Sequence, residues 1–242
     1  MGLHESRKTD KFLADVAWKR FWLSALELKR VLDRKTPFDF STEIKVGRVL
    51  LVGEGNLSFS LALARKVGVA AKNMTCTTYQ KADEYSEMTC TNASVLRRSG
   101  ATVMSGIDAT NLSNWFGRSK FDLIVFQFPN VASRNPLYGR NPNHILVRRF
   151  LKSAAGQIAG DGIVAVSAVN SPHYDGAFDV DGAAERNEYE IPVAYPFYFS
   201  DYPGYSHVKT KDDGSSAVGE GDEFVTYVFH KKKQVARKWG LR

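Results

Sequence analysis

Between residues 48 and 169 the chain alternates compact apolar runs with segments of helical composition, and no other feature narrows its fold as far. The apolar runs are 48–52 (RVLLV), 74–79, 101–104, 121–128 (FDLIVFQF) and 162–169 (GIVAVSAV). Between them, 57–67, 85–99, 111–116 and 144–159 read as helices. Strands that are apolar at nearly every position are covered on both faces, and strands separated by helices run parallel. The expectation is an α/β fold built on a parallel sheet. Residues 191–200 and 223–230 read as two further strands with no well-marked helix between them, which suits an antiparallel edge of the same sheet. The stretch 209–222 (KTKDDGSSAVGEGD) reads as a polar loop.

Ahead of this alternation, apolar residues from Phe12 to Leu32 recur near helical spacing, with Trp18 and Trp22 four apart. Residues 10–34 therefore read as one amphipathic helix, which Pro37 stops. The chain divides into a helical extension over 1–45, a sheet domain over 46–230 and a basic tail over 231–242. Such a helix can pack across the domain or dock on RNA or a membrane surface.

Charge separates the body from its ends. The formal total is +7, yet residues 46–229 hold 17 basic and 19 acidic side chains. The last 13 residues hold six basic ones and none that is acidic. A cationic tail with Trp239 among its charges suits a polyanion, since phosphate contacts release counterions; it equally suits a solvated terminus. No run approaches the roughly 18 apolar residues that cross a bilayer. The first residues, MGLHESRKTDK, lack an apolar signal-type core, so secretion is not expected and a cytoplasmic protein is. Two cysteines and five scattered histidines offer neither a disulfide framework nor a metal-ligand spacing, so no metal is expected. No G-x-S-x-G elbow occurs.

The first strand runs into VGEGNLSFS and then a helix. A glycine-rich turn at that point sets backbone N–H groups and a helix N-terminus beside a ligand. The third glycine of the dinucleotide fingerprint is missing, because Ser58 stands there, and no Gly-Lys-Ser/Thr makes it a P-loop. A tight structural turn is the plainer reading. Two later loops strengthen the other one. Tyr79-Gln80 ends the second strand and Ile107-Asp108-Ala109-Thr110 follows the third. Loops at the carboxyl ends of successive parallel strands open onto one crevice, so Gly53, Gly55, Gln80 and Asp108 are placed to converge.

Taken in order, LLVGEGNLSFSLALA, GATVMSGIDATNL, FDLIVFQFPNV and YPGYSHVKT resemble the class I methyltransferase family that makes N3-methyluridine in large-subunit ribosomal RNA. The resemblance covers about residues 47–210. It implies a Rossmann-like seven-stranded sheet whose last strands form an antiparallel edge. It implies S-adenosyl-L-methionine as cofactor and RNA, ribosomal above all, as partner; in a eukaryote that would place the protein in the nucleolus. By analogy Gly53, Glu54, Gly55 and Asn56 hold the methionine part and ribose, and Asp108 faces the adenine. Ser58, Gln80, Ala109 and Gln127 complete the implied cofactor set, and Phe128, Pro129, Asn130, Tyr202 and Tyr205 the implied substrate set. The chain departs from the family in three places. The usual Phe-Asn-Phe-Pro-His is Phe126-Gln127-Phe128-Pro129-Asn130, the usual ribose-binding Asp is Gln80, and 131–142 is an unfamiliar insertion.

Methylating a uridine N3 requires loss of its proton. Asp201 and His207 are the candidate bases, with His173 behind them. Gln127 and Asn130 carry amides that can bond a base edge but cannot take a proton. Tyr202 and Tyr205, flanking Pro203-Gly204, read either as a stacking platform for an unpaired base or as a turn with tucked-in aromatics. Arg134, Arg140, Arg148 and Arg149 are candidates for phosphate contact. Two other functions stay open on these residues: the same chemistry on a small molecule or another nucleotide, and a binding module that keeps the fold without catalysis.

Overall fold

A computed structural model describes residues 36–131, 133, 135–170, 178–207 and 223–233. The expected helix over 10–34, the 209–222 loop, and all of the tail beyond Lys233 lie outside these residues, as do Arg134 and His173.

The described chain begins with helix α1 (Phe40–Val46). Asp39 caps it, accepting from the Ser41 and Thr42 amides at 3.0 and 3.3 Å. The Thr42 hydroxyl, donating to the same carboxylate, helps hold the Asp39 carboxyl below its usual range. Although α1 falls within the residues read as an extension, Phe40 and Ile44 are buried in the domain core. The sheet domain therefore takes in this helix.

Strand β1 (Val49–Val52) leads to α2 (Ser58–Val67), then β2 (Met74–Thr77), α3 (Glu87–Arg98) and β3 (Thr102–Met104). Helix α4 (Ser113–Phe116) precedes β4 (Phe121–Gln127), α5 (Pro142–Ala155) and β5 (Ile158–Asn170). Helix α6 (Val180–Arg186), β6 (Val193–Pro196) and β7 (Glu223–His230) complete the order. The seven strands line up as β3-β2-β1-β4-β5-β7-β6.

Strands β1 to β5 are parallel, and β7 pairs antiparallel with both β5 and β6. The expected antiparallel edge is present, made by β7 and β6. β7 is inserted inside the sheet and β6 forms the edge, because Val225–Phe229 is buried on both faces and needs a neighbour on each side. The expected helix over 144–159 starts earlier and stops sooner. Asn141 caps it and Pro142 sits in its first turn, while residues from Ile158 already belong to β5. Helix α6 carried no legible signal: seven residues with Gly182 among them are too short to show a helical period.

Alternate side chains divide the core in two. Val49, Leu51, Leu123 and Val125 face α1, α2 and α3, whereas Leu50, Val52, Ile124 and Phe126 face α5 and α6. Because β1 lies between β2 and β4, the chain leaves β1 and β4 toward opposite sides of the sheet. A crevice opens at their carboxyl ends.

Candidate active site

That crevice is a cavity of about 670 Å³, within the range that holds a small-molecule cofactor. Its floor is the turn after β1. Gly53 has φ +66°, and a Cβ there would collide with the ring of Phe126, so only glycine lets the turn lie this close to β4. Leu57, also left-handed at φ 62°, then starts α2.

Three polar side chains of the turn are directed inward. Glu54 is buried, and both its oxygens accept from Ser60, the hydroxyl at 2.8 Å and the amide at 3.2 Å. It satisfies a first-turn N–H of α2, and burial pushes its carboxyl up to about 7 against the pull of those two bonds. Asn56 accepts from the Ser58 amide at 3.1 Å and donates to the Ser206 hydroxyl at 3.0 Å. The Ser58 hydroxyl donates to the Ser206 carbonyl at 3.0 Å and accepts from the Ser206 amide at 3.1 Å. Asn56 and Ser58 thus clasp the 202–207 segment onto the turn. Ser206 is a residue that sequence reasoning missed; a serine between Tyr205 and His207 gives no signal of a partner 148 positions away.

The next loops are tied together by their backbones. The Ile107 amide donates to the Thr78 carbonyl and the Gly106 amide to the Gln80 carbonyl, both at 2.9 Å. Gln80 is exposed on the cavity wall and brings no charge. Glu84, from a 3-10 turn over Ala82–Glu84, adds a carboxylate to the same wall, one the sequence analysis did not single out. Asp108 and Ala109 line the cavity from the adjoining loop. One Asp108 oxygen accepts from the Thr110 amide and hydroxyl, each at 2.8 Å, and the other has no partner among the described residues.

The far wall comes from β4 and the 202–207 segment. Gln127 is 7% exposed, and neither atom of its side-chain amide has a hydrogen-bond partner of good geometry. The Tyr205 hydroxyl is close enough to that amide to feel it. The phenol nonetheless stays protonated, because burial and the nearby Glu54 raise it well above the ordinary value. His207 lies 3.4 Å from the Tyr205 hydroxyl through Nδ1. Burial lowers its pKa, so its ring is neutral near pH 7. Asn130 completes this wall.

Other expected residues are placed differently. Asp201 and Tyr202 do not reach the cavity. They line a separate hollow with Asp39 and Lys66 beside α1, which removes Asp201 as a base for a reaction in the crevice. Tyr202 is 4% exposed and stacked on Phe197 at 5.1 Å, so the Tyr-Pro-Gly-Tyr segment is a turn anchored in the core, not a free platform. Phe128 touches the cavity but is packed among Phe197, Phe199 and Phe224, at φ 49°. Pro129 is buried and outside the wall. Arg140, Arg148 and Arg149 are exposed and likewise outside it. Among the described residues no group of His, Cys, Asp and Glu is arranged to hold a metal ion, and no helix is long and apolar enough to cross a membrane.

A sheet with β7 inserted between β5 and β6, and a glycine-floored crevice at the β1/β4 switch, define a Rossmann-like methyltransferase dependent on S-adenosyl-L-methionine. The archaeal NSun6 of Pyrococcus horikoshii shares this fold, with a TM-score of 0.50 at 12% identity over 80% of this chain and 50% of its own. Residues 50–209 match the BMT5-like family of rRNA (uridine-N3-)-methyltransferases, and the chain belongs to that family. An uncharacterized Arabidopsis thaliana protein is 33% identical over 65% of this chain and 79% of its own length. The human ferredoxin-fold anticodon-binding domain-containing protein 1 is 34% identical over 50% of this chain, a stretch amounting to 19% of that longer protein.

Proposed function

We propose that this chain methylates N3 of a uridine in ribosomal RNA. One observation carries the reading: the glycine turn and the Gln127–Tyr205–His207 group are walls of the same cavity, so methyl donor and acceptor meet in one space. The walls fit the cofactor. Gly53 lets the turn lie against Phe126 with its backbone open to the cavity, Asp108 keeps an oxygen uncommitted, and Glu84 supplies near Gln80 the carboxylate that Gln80 lacks.

S-adenosyl-L-methionine supplies a methyl group on a sulfonium: the N3 electron pair forms the new N–C bond as the S–C bond breaks and leaves a neutral thioether. The chain's own task is positioning and proton removal. His207 is neutral before reaction, so it can take the N3 proton and pass it to solvent afterwards. Tyr205 remains a donor throughout. N3 lies on the pairing edge of the base, so the target uridine must be unpaired and swung out of any helix. With that substrate the protein works inside the cell, in the nucleolus if the cell has one.

The test begins with calorimetric titration of S-adenosyl-L-methionine into the full chain, beside Asp108→Ala. Saturable binding, weakened about tenfold or more in the variant, is expected from loss of a charged hydrogen bond. Labelled methyl transfer into total RNA, digested to nucleosides, should then yield 3-methyluridine. Cofactor binding with label appearing only in small molecules would refute the RNA substrate. No cofactor binding by well-folded protein would refute catalysis and leave a binding module.

A further inference from the structure

Gln127 is the polar group in this cavity that the fold leaves unserved. The residue is only 7% exposed, and both the donor and the acceptor of its amide lack a well-aligned partner. Buried side-chain amides in folded proteins are normally satisfied, and leaving one bare destabilises the protein that carries it. Placed at the last residue of β4, in a cavity wall, such an amide is a receptor for a ligand that brings its own donor or acceptor.

Its neighbours indicate which ligand. The polar groups of the cofactor have other partners within reach: the turn over Gly53–Asn56 with the N-terminus of α2, and the carboxylates of Asp108 and Glu84. Around Gln127 stand Tyr205, His207 and the edge of Phe128, an uncharged and largely aromatic surface suited to a planar neutral ring. His207 on the same wall, neutral near pH 7, suits an acceptor nitrogen that must shed a proton. A ring nitrogen that carries a proton beside a carbonyl is such an acceptor; the unprotonated N3 of cytosine is not.

We propose that Gln127 is the base-reading residue of the site, its Nε2 donating to the ring carbonyl oxygen that flanks the methyl-accepting nitrogen of a uracil. The amide N–H side of Gln127 faces the Tyr205 phenol oxygen, where it draws the phenol pKa down, and the second Nε2 hydrogen is left for the ring carbonyl. Loss of the N3 proton to His207 spreads negative charge onto the flanking carbonyl, so this bond is stronger in the transition state than in the ground state. Gln127 is then a substrate residue, not the cofactor residue that the family resemblance implies, and it favours the anionic form of the base without itself taking a proton.

The proposal rests on the methyltransferase reading above, and its test separates the two. The Gln127 side-chain amide pair is assigned in the nitrogen-15 spectrum of the full chain by difference from Gln127→Met, an unbranched replacement of similar length. S-adenosyl-L-homocysteine is added to saturation, then millimolar uridine 5′-monophosphate. The amide pair is expected to stay in place on the first addition and to shift on the second. The variant should bind S-adenosyl-L-homocysteine within about a factor of two of wild type and show no response to the nucleotide. A shift complete on the first addition would make Gln127 a cofactor group and overturn the proposal, as would no shift on either. Failure of S-adenosyl-L-homocysteine to move the Gly53–Asn56 amides would instead overturn the methyltransferase reading, while the response to uridine 5′-monophosphate alone still decides whether Gln127 reads the base. A Gln127→Met chain that melts well below wild type would reveal a partner for the amide within the fold, and that too would overturn the proposal.

Discussion

Replacing Glu54 by Gln should stabilise the ligand-free protein at alkaline pH and leave it unchanged at acid pH. Burial of the Glu54 carboxyl raises its pKa from the ordinary 4.5 to about 7, even though Ser60 donates to both its oxygens. Below pH 4.5 the group is protonated in folded and unfolded chains alike, and burial costs nothing electrostatic. Between 4.5 and 7 the unfolded chain gives up its proton first, so stability falls as pH rises. Above 7 both states are charged and the loss is complete. At about 1.4 kcal/mol per pH unit, a rise of about 2.5 removes about 3.5 kcal/mol from the folded state. Glutamine is uncharged at every pH and nearly the same size. Its carbonyl oxygen can take the Ser60 amide, and its NH2 can donate to the Ser60 hydroxyl with the hydroxyl's role reversed. Urea unfolding of both chains at intervals from pH 5 to 8 gives the difference directly, provided the slope with urea does not change. The variant should lie within about 1 kcal/mol of wild type near pH 5 and exceed it by about 3 kcal/mol at pH 8. A difference independent of pH, or a variant less stable at pH 8, would refute the assignment of Glu54 as a buried carboxyl under strain.

Two further substitutions test the same site from other sides. Gly53→Ala forces a left-handed alanine against Phe126, adding about 1–2 kcal/mol of backbone cost to about 1–3 kcal/mol of overpacking. A urea midpoint shift worth less than about 1 kcal/mol would mean that the Phe126 ring swings aside freely. For His207, whose pKa is lowered by burial, the rate of methyl transfer should rise with pH to a plateau through a midpoint below the ordinary 6.5, because the neutral ring is the active form. His207→Gln should lose at least about a hundredfold in rate, and that lower limb should vanish from its profile. A variant that keeps the limb would place the titrating group elsewhere.

The strands were legible because the sheet is buried on both faces, and burial of that kind writes itself into the sequence as unbroken apolar runs. Residues 223–230 were read as a strand with the bounds the structure shows, since Phe224 to Phe229 presents scarcely a polar side chain. What such a run does not carry is its neighbours. That β7 enters between β5 and β6 depends on which edges remain open after five parallel strands have paired, a property of the assembled sheet. Helix ends were less legible, because an N-cap such as Asn141 or Ser86 is chosen by local hydrogen bonds that compete closely with extending the helix by a turn.

At the site, the sequence by itself determined the turn: Gly53, Glu54 and Gly55 between an apolar strand and a helix can only sit at the mouth of a parallel sheet. It also determined that the loops after the second, third and fourth strands open beside that turn, since parallel strands present their carboxyl ends together. Only the tertiary structure decided the direction of each side chain. It turned Glu54 beneath α2, joined Asn56 and Ser58 to Ser206, and separated Tyr202 from Tyr205, one in the core and the other in the cavity. It set Asp201 apart from His207, and it left the Gln127 amide without a well-aligned partner. The physical reason is range: local order follows from neighbours along the chain. Burial, pKa and unmet hydrogen bonds depend on atoms that the sequence brings from scores of residues away.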